Sequence, residues 1–174
     1  VTRIFAQNKK LHEAVFYSHG HEDHVGLFEY IPNDVPQYMS KGTNELLQIK
    51  YDVLCTGAEL MMSDTLNKEC DSQDNSIATI LLDAADKKCK LLKKMVVWER
   101  CSPRKAPESI SVGDIKITPF FNCHSIYDSH MFLIEADGKR IWHTGDYRGH
   151  GYMGKGLFPT LKKYATALLS TKIR

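Results

Sequence analysis

The sequence has no apolar run approaching the roughly 20 residues that a membrane-crossing helix needs. Its opening residues, Val1-Thr2-Arg3-Ile4-Phe5, carry neither the apolar stretch nor the small-residue cleavage pattern of a secretion signal. It has no charge excess of either sign, with 23 Lys and Arg against 21 Asp and Glu and a formal net charge of +2. That excludes a free basic arm or acidic tail and leaves no strong overall field to draw in nucleic acid. Paired cysteine motifs are also missing. The five cysteines, Cys55, Cys70, Cys89, Cys101 and Cys123, are odd in number and form no Cys-x-x-Cys. Free thiols in a reducing cytosol explain that pattern better than a disulfide framework does, so a cytoplasmic location is expected. What is present is ordinary for a globular chain: 174 residues, 43% hydrophobic and 25% charged, enough for one domain with a real core.

The pattern along the chain alternates short β-prone runs with helical stretches. Ala14 to Tyr17 predicts a buried strand of a parallel or mixed sheet, ending at the polar loop Ser18-His19-Gly20-His21. Val25 to Tyr30 predicts a short helix closed by Pro32, and Val35 to Met39 another strand, with Ser40 as N-cap of a helix over 42–50. Further helices are expected over Asp64–Cys70 and Ser76–Met95, with 71–76 as a loop. The lysines of the second helix are read as a solvated face opposite Leu81, Leu82, Ala85, Cys89 and Leu92. Strands follow at Val96–Trp98, Ser109–Val112, Ile115–Phe121, Met131–Glu135 and Lys139–Thr144, the last two joined by the tight turn Asp137-Gly138. Gly145 to Gly156 reads as a glycine-rich loop and Leu157 to Leu169 as a final helix. No repeat or linker interrupts this, so a single α/β unit over 1–174 is expected.

The residues that carry chemistry cluster directly after the first strand. In His19-x-His21-x-Asp23-His24, three imidazoles and a carboxylate fall within six residues. Neutral imidazole and carboxylate are the donors that a borderline divalent ion such as zinc prefers. In an extended loop His19 and His21 point the same way, whereas Asp23 and His24, where a helix starts, are displaced and can serve a second ion.

This pattern after a strand resembles the signature of the metallo-β-lactamase superfamily. Two further blocks strengthen the resemblance. Thr118-Pro119-Phe120 leads to Cys123-His124-Ser125-Ile126-Tyr127-Asp128-Ser129, and Gly138 to Trp142 leads to His143-Thr144-Gly145-Asp146-Tyr147-Arg148. The wording of these blocks is similar to the ribonuclease J and β-CASP branch, which cuts phosphodiester bonds in nucleic acids.

The resemblance implies an αββα sandwich, incomplete at both ends because only 18 residues precede His19 and no late histidine motif follows Asp146 except His150. It implies that His19, His21 and His124 hold a first divalent ion, that Asp23 and His24 begin a second site, and that Asp146 bridges the two. The ion is expected to be zinc, with manganese or iron as alternatives. Asp23 and His24 are the expected catalytic pair, Asp23 orienting the attacking water and taking its proton. Ser125 and Arg148 are candidates for substrate contact. The implied function is a metal-dependent hydrolase acting on RNA or single-stranded nucleic acid. Two readings stand beside it: a small-molecule hydrolase of the same fold, acting on thioesters, lactones or cyclic phosphodiesters, and a non-catalytic fragment. His143 is expected to pack or to support a ligand rather than be one, and His12 and His130 to be structural or exposed.

Overall fold

In the computed structural model the described residues are 14–66, 72–99 and 108–170. Expectations that fall on His12, Cys70 and Cys101 lie outside them. The described chain is mixed α/β, with two sheets, and falls into two compact units that divide after Glu99.

The first unit is built on a three-stranded parallel sheet in the order β1 (Val15–Phe16), β2 (Gln37–Ser40), β3 (Val96–Trp98). Val15 pairs with Gln37 and Tyr38 with Val96, so parallel crossovers carry the helices. Between β1 and β2 lie α1 (Glu22–Val25) and a 3-10 turn (Phe28–Tyr30), which together replace the single helix expected over 25–30. The histidine-rich loop thus becomes helical at Glu22, because its two acidic residues fall in the first turn, where the helix dipole favours them. Ser40 does cap the next helix: its Oγ accepts the Thr43 N–H at 3.3 Å. That helix, α2 (Lys41–Leu66), runs far beyond residue 50.

The stretch 71–76, read as a loop, is mostly helical, since α3 spans Ser72–Leu92. Ser, Gln, Asp and Asn suit a helix's first turn as well as they suit a loop, and composition alone does not separate the two. α2 and α3 pack along one another through Leu47, Tyr51 and Ala58 on one side and Ala78, Ala85, Cys89 and Leu92 on the other. Leu81 lies beside that stripe and is exposed, contrary to expectation. The lysine face behaves as a solvated one: Lys87 and Lys88 each reach Glu29 at 3.3 Å, and Lys90 pairs with Asp86. Tyr17, Val25, Phe28 and Met39 join Leu47, Tyr51, Cys89 and Leu92 in one core cluster beneath the sheet.

The second unit is a four-stranded antiparallel sheet in sequential order: β4 (Ile110–Val112), β5 (Ile115–Phe121), β6 (His130–Ala136) and β7 (Lys139–His143). The β6–β7 turn has positive φ at both central residues, 49° at Asp137 and 68° at Gly138, the mirror-image turn whose twist suits a hairpin. The final helix, α4, spans Gly151–Ser170 and so takes over the second half of the expected glycine-rich loop. At Gly154 the glycine serves close approach, because a Cβ there would lie 2.8 Å from the Gly149 carbonyl carbon. Leu157 and Leu161 of α4 pack on Phe120, Met131, Leu133 and Trp142, and this packing outweighs the poor helix propensity of the glycines.

Candidate metal centre

The last bond from the β1 segment to β2 is that of Tyr17, whose N–H donates to the Tyr38 carbonyl at 2.9 Å. The next residues, Ser18, His19 and Gly20, are buried at the C-terminal end of this parallel strand, where open α/β sheets place their ligand groups. His19 is fully buried. Its Nδ1 lies 3.0 Å from Ser18 Oγ. A partner on one ring nitrogen fixes the imidazole's orientation and leaves Nε2 as the ligand atom. His21 is extended (φ −69°, ψ 147°) and stands at the N-cap of α1, yet its side chain makes no capping bond.

The three rings gather closely. His19 and His21 have centroids 4.8 Å apart at an edge-on 85°, and His19 and His24 are 4.1 Å apart. A ligand atom of His19 lies within 4.8 Å of one on His21 and of one on His24. His19 is therefore common to His-rich groups that could hold a metal ion. Asp23 stands apart: its side chain is 77% exposed, with Oδ2 3.6 Å from His24 Nε2. α1 is held to α2 by the Glu22–Lys50 ion pair and closed by Gly26, whose N–H donates to Glu22 O at 2.7 Å. A Cβ at position 26 would sit 2.5 Å from that same oxygen, so only glycine allows this turn.

In the second unit, His124 sits in the loop between β5 and β6, and Asp146 in the loop after β7. His124 Nε2 is 3.7 Å from Asp146 Oδ2, the imidazole largely buried and the carboxylate half exposed. This imidazole and carboxylate form a second donor set of the kind a divalent ion takes. Ser125 and Arg148, the two expected substrate contacts, are both exposed. The Arg148 N–H donates to Cys123 O at 2.6 Å, which ties the two loops together. His143 is exposed and stacks on Phe132 with centroids 6.1 Å apart, consistent with packing rather than ligation. His130 is fully buried, with Nδ1 2.9 Å from Asp128 O. His150 is exposed.

One residue of this site was not singled out from the sequence. Asn122 is buried, and its side-chain amide donates to the carbonyls of Thr144 at 3.0 Å and Asp146 at 2.7 Å. The available signal was an amide at the end of an apolar strand, two residues before His124, where a further hydrophobe would continue the pattern.

No family model matches the chain, and no curated protein matches it. Among solved structures, it is similar to the crystal structure of a protein of unknown function from Enterococcus faecalis V583, with 21% sequence identity and a TM-score of 0.51. That likeness covers 86% of this chain but 28% of the other, so the chain spans under a third of the length of the structure it matches. At this identity the likeness concerns the fold alone.

Proposed function

We propose that the chain contributes the metal-binding face of a metallo-β-lactamase-like αββα sandwich, and that the protein is a metal-dependent hydrolase of phosphodiester bonds acting on RNA or single-stranded nucleic acid. The observation that carries this reading is the gathering of His19, His21 and His24 at the end of a parallel strand, around a fully buried His19 imidazole. The pairing of His124 with Asp146 supports it. The donors fit a divalent ion: all are imidazole or carboxylate, and the Nδ1 of His19 is already engaged.

In this reading His19, His21 and His124 would hold a first ion, Asp23 and His24 would begin a second site, and Asp146 would bridge. Zinc suits such donors, and manganese or iron is accepted by the same set. When bound, a pair of divalent ions lowers the pKa of water towards 7 and offsets charge on both oxygens of an in-line displacement. The chain's own part is positional and acid–base. Asp23, exposed at the start of α1, orients the attacking water and accepts its proton. Arg148 and Ser125, exposed on the loops that carry Asp146 and His124, meet the phosphate of the substrate. The cysteine pattern is the basis for proposing a cytoplasmic location.

Elemental analysis of the purified protein, followed by assays with zinc and with manganese on single-stranded RNA and on a panel of thioesters, lactones and cyclic phosphodiesters, tests this. Bound metal with RNA cleavage is the expected result. Turnover of the small substrates alone would replace the nuclease reading with a small-molecule hydrolase. Metal without any turnover would leave a binding module, and no metal uptake would overturn the reading.

A further inference from the structure

We infer that Asn122 is a positioning residue that sets His124 against Asp146. The inference rests on the metal-site reading above for its meaning, but the clamp itself can be measured without metal. Asn122 directly follows β5 and opens the loop that carries His124, and its own backbone N–H donates to Ser129 O at 2.9 Å, closing that loop at its base. Its side-chain amide then reaches across to the other loop. Both hydrogens of Nδ2 are used on main-chain carbonyls, those of Thr144 and Asp146, which flank Gly145. Gly145 is in the left-handed region, at φ 54°, so the turn between these two carbonyls is tight.

The geometry selects an amide and little else. Oδ1 of Asn122 is buried and accepts no hydrogen bond from the described residues, so what the position uses is the pair of donors on one nitrogen. Aspartate has the same shape but would turn a carboxylate oxygen towards two carbonyl oxygens. Serine could reach one acceptor at most. The backbone bond from Arg148 N–H to Cys123 O is the second strut between the same two loops. Removing the side-chain strut therefore leaves the loops joined at one end only. The 3.7 Å spacing of His124 Nε2 and Asp146 Oδ2 is then no longer held from beneath Asp146.

Asn122→Ser and Asn122→Asp in the full chain, titrated with cobalt(II), test the role. Leu133→Ala, which opens the core of the same sheet away from the loops, serves as the comparison for general destabilisation. The expected result is a 10–100-fold weaker cobalt affinity in Asn122→Ser, the range found when the groups that orient metal ligands are removed. The d–d spectrum of the bound ion should change, and the Arg148 amide should exchange at least tenfold faster without metal. Leu133→Ala should lower the melting temperature at least as much while shifting cobalt affinity less than about threefold. Asn122→Asp should follow Asn122→Ser; if it fails to fold, Asn122→Ser alone decides. Unchanged affinity and exchange in Asn122→Ser, or an equal loss of affinity in Leu133→Ala, would overturn the inference. If the parent protein takes up no cobalt, the metal-site reading fails, and the Arg148 exchange rate alone judges Asn122.

Discussion

Asp23→Ala separates the chemistry proposed here from the stability of the fold. The structure bounds the structural cost from above. The side chain is 77% exposed, so almost nothing is lost in packing, and its 3.6 Å contact with His24 is a surface one, worth about 1 kcal/mol at most. Loss of an acidic residue from the first turn of α1 costs about 0.3–1 kcal/mol. Together these come to about 2 kcal/mol at most, which lowers the melting temperature by no more than about 4–8 °C, since about 1 kcal/mol corresponds to roughly 2–4 °C in a chain of 150–250 residues. The functional cost is larger, because removing a general base lowers the rate about 10²–10⁴-fold, or roughly 3–5 kcal/mol of barrier. Most of the tightly held metal should remain, because the proposed reading assigns the first ion to histidines and not to Asp23. Asp23→Asn, which keeps the shape and loses the basicity, should lose rate to the same extent. The assay is kcat/KM on every substrate that the parent turns over, with melting temperature and metal content measured on the same samples. A variant that keeps the parent rate on all of them would refute the assignment of Asp23, whatever the fold. So would a rate loss accompanied by a fall of more than about 10 °C in melting temperature.

His124→Ala should act in the opposite way, lowering metal content directly while changing the melting temperature of the metal-free protein little; equal metal content in variant and parent would remove His124 from the ligand set. Gly26→Ala should cost about 1–3 kcal/mol, since its Cβ would stand 2.5 Å from Glu22 O and the end of α1 must shift; an unchanged melting temperature would show that the turn is not constrained as described. Burial, reinforced by a hydrogen bond to Asp52, raises the Cys89 thiol from its ordinary 9.0 to about 11. The native state therefore holds that proton more tightly than the unfolded chain does, and the stability this contributes is complete below pH 9 and lost between 9 and 11. Urea midpoints at pH 8 and 10.5 should differ more for the parent than for Cys89→Ala, and equal differences would exclude Cys89 as the source.

The strands and the donor residues were legible in the sequence because both depend on local pattern. Alternation and apolar runs placed β2 to β7 to within about two residues, the Asp137-Gly138 turn followed from backbone sterics, and Ser40 signalled its helix start by capping chemistry. His19, His21 and His24 stood out because donors of this type at this spacing suit a metal ion, and the structure does bring the rings of His21 and His24 each within 5 Å of that of His19. What the sequence left undecided depends on contacts between distant segments. Whether Ser72–Ser76 is loop or helix turns on the packing of α3 along α2, which composition does not carry. Gly151 to Gly156 is helical because Leu157 and Leu161 bury against β5 to β7, an energy that no window of local propensity contains. Asn122 shows the limit most plainly. A single polar residue after an apolar strand has no periodicity to mark it. Its role exists only because the fold brings the carbonyls of Thr144 and Asp146, more than 20 residues away, within reach of one buried amide.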